Sequence, residues 1–316
     1  MFRVGIVGTG IIGASHIKAI LKNDEICVGA VCDIDAAKAQ EAAALTNAAT
    51  YTDYKEMAEK ESLDCVILNL PHFLHKDVTV YFLNKKIPVL VEKPMANTVG
   101  ECEEMIEASQ SNDTPLAIGH VQKYFECYRN LKAIIEEESL GKLCSITETR
   151  NIDYFTPQRP KWFLNKSTAG GGIVMNYCAH TMDKIIYATG LKATEIHAIG
   201  NNFLTDDDVE ATAQVLVKFE NGVTAAFTYC GTHVPTQYDT YFYFTNGTAY
   251  IEAGGEKLHI RRLGQPEEIT EFDISDLFER QIAQLVKFLK GEENELVTPE
   301  IGKQIIAVNE QIVNMI

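Results

Sequence analysis

Over the first 120 residues, short continuous apolar runs alternate with stretches of helical spacing. The runs at 2–7, 26–32, 64–70, 88–91 and 116–119 are of the buried-strand type, each bounded by polar or turn residues. Between them, 11–21, 36–45, 75–86 and 99–111 repeat their apolar residues with the period of a helix. Strands apolar on both sides must be covered on both faces, so this half is predicted to be a doubly wound parallel sheet.

The pattern changes after residue 120. A helix predicted over 124–138 leads into 143–152, which alternates like a half-exposed strand. Gly170-Gly171-Gly172 and a predicted helix at 176–189 follow. Strand-type residues then fill 194–200, 210–219, 223–229, 240–245, 248–252 and 257–263, with Asn221-Gly222 and Asn246-Gly247 as hairpin turn signals. Helices are predicted at 276–290 and 299–315, the second with Pro299 in its first turn after Thr298. The expected fold is therefore α/β followed by α+β. A parallel-sheet domain over 1–122 precedes a domain over 123–316 with a large open, mainly antiparallel sheet. The final helix is the segment expected to be able to return to the first domain.

Composition narrows the function. The chain has 316 residues, 46% hydrophobic and 23% charged, as in ordinary globular proteins. Lys and Arg number 28 against 44 Asp and Glu, a net charge of −16. The acids are dispersed: residues 1–120 hold 10 basic and 17 acidic residues, and 121–316 hold 18 and 27. No basic block exists to bind phosphate backbones, which excludes nucleic acid as the expected partner. No run approaches the roughly 18–20 apolar residues of a membrane span, and the apolar N-terminus is interrupted by Gly8, Gly10, Gly13, His16 and Lys18. The eight cysteines form no CxxC and no zinc spacing, so reduced thiols in a cytoplasmic protein and no metal are expected.

Gly8-Thr9-Gly10-Ile11-Ile12-Gly13 joins the first predicted strand to the first helix. That context is what a dinucleotide fingerprint requires. Gly8 allows the tight turn, Gly10 lets a pyrophosphate approach the backbone, and Gly13 lets helix and strand pack closely. Asp33 follows Gly13 by 20 residues at the end of the second strand, where a carboxylate can accept from ribose hydroxyls. Asp33-Ile34-Asp35 would repel a 2′-phosphate, so NAD is expected over NADP. Asp35 suits the N-cap of the following helix better than Asp33 does, which leaves Asp33 for the ribose.

Together with these, His16, Pro71 and His75, Glu92-Lys93-Pro94, and the series Gly170-Gly171-Gly172, Asn176, His180 and Asp183 occur in an order specific as a set. The chain resembles the glucose-fructose oxidoreductase / inositol dehydrogenase / MocA (Gfo/Idh/MocA) oxidoreductases over essentially its whole length. The resemblance implies a Rossmann domain followed by a substrate domain with a large open sheet. It implies hydride transfer between nicotinamide and a secondary hydroxyl or carbonyl of a sugar, cyclitol or related polyol. It also implies a homodimer or homotetramer formed through the open sheet face.

Lys93 follows the strand predicted at 88–91, and ligands of doubly wound sheets sit at carboxyl ends. On sequence alone a solvated lysine is an equal reading. The resemblance makes Lys93 the group at the reacting oxygen and implies a cis Lys93–Pro94 bond. Asn176, His180 and Asp183 fall at i, i+4 and i+7, on one helix face. His180 matches the catalytic histidine and is read as general base in oxidation, with an early-helix position expected to lower its pKa. Asp183 is read as structural. Asn176 stands where the family usually has Asp. It can orient a hydroxyl but supplies no charge, so Lys93 is expected to have a lower pKa than in Asp-bearing members. Asn69, Pro71, His72, His75 and Glu92 are placed beside the cofactor, although His75 could equally cap the next helix. Lys123 is a candidate for substrate contact at the domain junction. Arg159, Lys161 and Trp162 precede the triple glycine, and Trp162 either covers a sugar ring or simply packs. Two other readings stay open: a glycoside hydrolase that uses NAD transiently, and a cofactor-binding regulator without catalysis.

Overall fold

In the computed structural model, residues 1–203, 208–252 and 254–316 are described. The chain divides into two compact units. One comprises Met1–Val121 with Asp276–Lys303, the other Gln122–Ser275 with Gln304–Ile316.

The first unit contains β1 (Phe2–Val7), α1 (Ile11–Ile20), β2 (Ile26–Cys32), α2 (Ala36–Ala44), β3 (Ala49–Tyr51), α3 (Tyr54–Lys60), β4 (Cys65–Leu68), α4 (His75–Asn84), β5 (Val89–Glu92), α5 (Val99–Ser111) and β6 (Leu116–Gly119). The six strands form a parallel sheet in the order β3-β2-β1-β4-β5-β6. The order reverses beside β1, the place where such sheets bind dinucleotides. Val4, Ile6, Val31, Ile67 and Leu90 are fully buried, as the unbroken apolar runs require. Ile282, Leu285 and Val286, from a later helix Leu277–Lys290, complete this core.

Asp35 does cap α2, accepting from the Ala37 and Lys38 N–H groups at 3.0 and 3.5 Å. β3 and α3 were not anticipated. β3 has three residues, and the seven-residue α3 buries only Met57, so neither leaves a periodic apolar signature.

In the second unit lie α6 (Glu126–Glu136), β7 (Leu143–Asn151), the short α7 (Lys166–Ala169), α8 (Ile173–Thr189), β8 (Ala193–Asn201), β9 (Thr212–Phe219), β10 (Thr224–Cys230), β11 (Gln237–Phe244), β12 (Gly247–Glu252), β13 (Lys257–Arg261) and β14 (Glu268–Glu271). The helix Leu277–Lys290 is α9, and α10 spans Pro299–Val313. The eight strands run β14-β13-β12-β11-β7-β10-β9-β8, antiparallel except for the parallel pair of β7 and β10. Alternation sorts the residues: in β9, Ala213, Val215, Val217 and Phe219 are buried while Leu216 is exposed. α8 packs on the buried face against β9 and β10, and α6 packs on α8. β14 was missed because all four of its residues are exposed, two of them Glu, as suits an edge strand.

Candidate active site: a glycine loop and a buried polar helix face

The glycine loop after β1 is built by close contacts. Gly8 adopts φ +86°, and a Cβ there would lie 2.3 Å from the Asn69 carbonyl oxygen. A Cβ on Gly13 would lie 2.1 Å from the Gly8 carbonyl oxygen. Around Gly10, in contrast, a Cβ would meet nothing within 4 Å. Gly10 is also the N-cap of α1 and offers no side-chain cap, which leaves the first amides of the helix for an anion. Beside the loop, Asn69 buries both its amide nitrogen and its amide oxygen without a hydrogen-bond partner among the described residues. An open glycine, uncapped amides and an orphaned amide side chain fit a dinucleotide.

Asp33 lies at the carboxyl end of β2, but it is not left free for a ligand. Its Oδ2 accepts from the Thr9 N–H and the Thr9 hydroxyl at 2.9 and 3.0 Å, and its Oδ1 accepts from the Asp35 N–H at 3.0 Å. The end of β2 brings this carboxylate against the glycine loop, so Asp33 clamps the loop as well as presenting charge. Thr9 is its anchor, while Ile11 projects outward and Ile12 is half exposed.

The Lys93 segment is held from two sides. Glu92 Oε1 meets the buried His16 Nε2 at 2.9 Å, tying the end of β5 to α1, and Glu92 Oε2 accepts from the Lys93 N–H at 3.1 Å. The Lys93–Pro94 bond is cis. His75 does not cap α4. Its ring is fully buried, with Nδ1 2.8 Å from the Pro94 carbonyl oxygen and Nε2 2.8 Å from that of Leu70. Burial pushes its pKa down, and the two carbonyl contacts oppose that shift. His75 thus joins the loop after β4, with Pro71 and the buried His72, to the loop after β5.

In the second unit, Asn176, His180 and Asp183 share one face of α8 and are 9%, 7% and 2% exposed. α8 begins at Ile173, three residues before the expected start. His180 is therefore in its third turn rather than near its N-terminus. The macrodipole acts within the first turn, so the expected dipole effect on His180 has no basis in the structure.

The glycine turn before α8 is shaped by a protein contact. A Cβ on Gly172 would lie 2.2 Å from the Glu210 carbonyl oxygen. The buried Glu210 carboxylate accepts from the Gly172 and Val174 N–H groups, both at 2.8 Å. The glycines admit this protein contact, and Glu210 supplies the cap that α8 lacks in its own sequence.

Asp183 is buried next to Lys123. Burial pushes its carboxyl up to about 7, opposed by the charges of Lys123 and Lys184 and by a hydrogen bond from the Lys123 backbone. The Lys123 ammonium sits 5.4 Å from the centre of the Tyr187 ring. Trp162 stacks on Phe163 at 3.7 Å, and the Arg159 guanidinium lies 3.6 Å over Tyr154.

One cluster was not anticipated. Glu148 and Arg150 of β7 are buried on the parity of Ile146, so the strand sends two charges into the covered face. Glu148 accepts from Thr181, from Thr240 at 2.9 Å and from Lys184 at 3.4 Å. Burial pushes Lys184 down to about 8, with Glu148 opposing. The alternation of β7 carried the signal, since 146, 148 and 150 must face one way.

Two family models match the chain. One, described as an oxidoreductase family with an NAD-binding Rossmann fold, covers residues 2–120. The GFO/IDH/MocA C-terminal domain model covers 128–250. The chain belongs to the Gfo/Idh/MocA oxidoreductase family. Its first unit is the family's NAD-binding Rossmann domain. Inositol 2-dehydrogenase of Salmonella typhimurium strain LT2 is 36% identical over 146 residues, 44% of this chain and 43% of that relative. Inositol 2-dehydrogenase 1 of Paenarthrobacter aurescens strain TC1 is 28% identical over 228 residues, 71% of this chain and 65% of that relative. The matched stretches thus span less than two thirds of these relatives' own length. Among solved structures, the WlbA dehydrogenase from Bordetella pertussis in complex with NADH and UDP-GlcNAcA superposes with a TM-score of 0.88 at 20% identity, covering 99% of this chain and 96% of that one. Aldose-aldose oxidoreductase from Caulobacter crescentus gives 0.89 at 21%, covering 99% and 97%. At these identities the likeness is one of fold. Among the described residues no helix is long and apolar enough to cross a membrane, and no group of three or more His, Cys, Asp or Glu residues is placed to hold a metal.

Proposed function

We propose that this family member is an NAD-dependent oxidoreductase that interconverts a secondary hydroxyl and a carbonyl on a sugar, cyclitol or related polyol. The observation that carries the reading is the double tether of the Lys93 segment, by His16 to Glu92 and by His75 to Pro94, at the carboxyl end of β5. A lysine on a solvated surface needs no such support; one that must meet a reacting oxygen does. The inositol dehydrogenases among the relatives support a polyhydroxylated substrate.

Gly8, Gly10 and Gly13 would admit a pyrophosphate to the α1 amides, the buried Asn69 amide would hydrogen-bond to the cofactor, and Asp33 would accept from its ribose. NAD, when bound, supplies the hydride acceptor at nicotinamide C4. The Lys93 ammonium stabilises developing alkoxide and polarises the carbonyl in reverse. The His180 imidazole takes the hydroxyl proton in oxidation and returns it in reduction. Asn176 orients a neighbouring hydroxyl through its amide, and Lys123 and Trp162 contribute to substrate binding.

The exposed face of the second sheet carries Tyr241 stacked on Tyr250 at 4.3 Å, with Leu216 and Ile199 exposed. This apolar face supports a homodimer or homotetramer. Light scattering of the wild type and of Leu216→Glu tests it: a monomer in both would contradict the assembly. For the activity, a screen of sugars, inositols and their oxo forms with NAD is the test. Turnover that persists at the wild-type rate in Lys93→Ala or His180→Ala would remove that residue from catalysis.

A further inference from the structure

The second unit buries an arginine with a guanidinium nitrogen, Nη1, that no carboxylate of the described residues accepts from. Arg150 is 8% exposed, and its guanidinium carbon lies over the rings of both Tyr177 and Tyr238, 4.1 Å from each ring centre. Its Nη1 is buried without a hydrogen-bond acceptor among the described residues. The nearest carboxylate along the strand, Glu148, is already occupied by Thr181, Thr240 and Lys184. Asp183 is committed to the Lys123 backbone and to the charges of Lys123 and Lys184.

A buried guanidinium N–H without an acceptor is costly, and although the Glu148 charge opposes the burial of Arg150, it leaves Nη1 unfilled. Its position is functional too. Tyr177, one wall of the clamp, is three residues before His180 on α8 and therefore its neighbour on the helix surface. Both tyrosines are only half-buried. The two rings hold the guanidinium, and its Nη1 is the nitrogen left for recognition. A carboxylate matches that donor.

We infer that Arg150 is a specificity residue and that the substrate is a sugar or polyol acid, an aldonate or uronate, whose carboxylate accepts from Arg150 Nη1. This rests on the oxidoreductase reading for the reaction, but not for the binding step. Bound carboxylate supplies the acceptor that Nη1 lacks, while neutral polyols offer no charged acceptor to it.

The test measures binding and turnover separately. Calorimetry of the full chain, saturated with NADH, uses D-gluconate, D-galacturonate, D-glucose, myo-inositol and D-glucose 6-phosphate as probes. NAD-linked turnover is followed on the same set. The wild type should bind at least one of the two acids ~100-fold more tightly than either neutral compound, a loss that Arg150→Met should reproduce for the acid alone. Arg150→Met keeps the stacked stem and removes the fork; unfolding curves establish that it folds, and Arg150→Lys should recover part of the affinity. Acid binding that depends on Arg150 without any turnover would uphold the carboxylate site and refute the oxidoreductase reading. Turnover of neutral polyols with no preference for the acids would uphold that reading and overturn the carboxylate site. Failure of the wild type to bind either acid, or tighter binding of the sugar phosphate, would also overturn it.

Discussion

Replacing Asp33 by Asn should collapse the discrimination between NAD and NADP, and the structure sets its size. A carboxylate has about four acceptor sites, and the protein occupies three of those on Asp33 through Thr9 and Asp35. About one remains for a ribose hydroxyl, a charge-assisted bond worth roughly 1.5–3 kcal/mol that a 2′-phosphate forfeits. A phosphate charge ~4 Å from Asp33 adds repulsion of about 1 kcal/mol in water and about 4 at an effective dielectric of 20. Asp33 is half-buried, so a value near 2 kcal/mol is appropriate. The total of about 4 kcal/mol corresponds to NAD binding ~10³-fold more tightly than NADP. In Asp33→Asn the charge is gone while the amide oxygen can still accept from Thr9, so the ratio should fall to within ~10-fold. Calorimetric titration of both proteins with both cofactors reads this directly. Equal affinities in the wild type, or an unchanged ratio in the variant, would refute the role of Asp33.

Three further substitutions probe the second unit. Glu210→Gln leaves one acceptor for the two amides of Gly172 and Val174 and should cost about 1–3 kcal/mol in urea unfolding; no loss would deny Glu210 its role at the start of α8. Glu148→Gln strands Lys184 and leaves Arg150 with less compensation, and should cost ~3–5 kcal/mol by the same measurement, with a wild-type midpoint arguing against the buried network. Asp183 has its folded pKa raised from 3.8 to about 7, so the folded state holds the proton more tightly. Its contribution to stability is greatest below about pH 4 and is lost as pH rises to about 7. The unfolding free energy of Asp183→Asn relative to wild type should therefore rise across that window; a flat difference would contradict the shift.

Both sheets were legible because their periods differ. Unbroken runs such as Cys65–Leu68 mark strands covered on both faces, and the alternation in Thr212–Phe219 marks a sheet with one open face. Elements without a buried stripe, such as β14, left no trace. The glycine fingerprint and the Lys93 motif were legible because backbone geometry dictates their residue types. What escaped was long-range. Nothing near Gly172 announces that Glu210, 38 residues on, will cap α8, and nothing near Leu70 announces that His75 will bridge to Pro94. His180 was placed too early because the glycines conceal a helix start that has no local cap. The Glu148 and Arg150 pair was readable by parity from Ile146, but charged residues in an alternating strand suggest solvent until their face is assigned.

The most direct measurement is NADH formation from NAD by the wild type, Lys93→Ala and His180→Ala with a panel of sugars, inositols and sugar acids, with product analysis alongside. A stoichiometric oxo product and NADH in the wild type are expected, with kcat/KM reduced about 10²–10⁴-fold in each variant. Release of a free sugar from a glycoside without net NADH, or NAD binding with no turnover across the panel, would contradict the assignment of a polyol oxidoreductase.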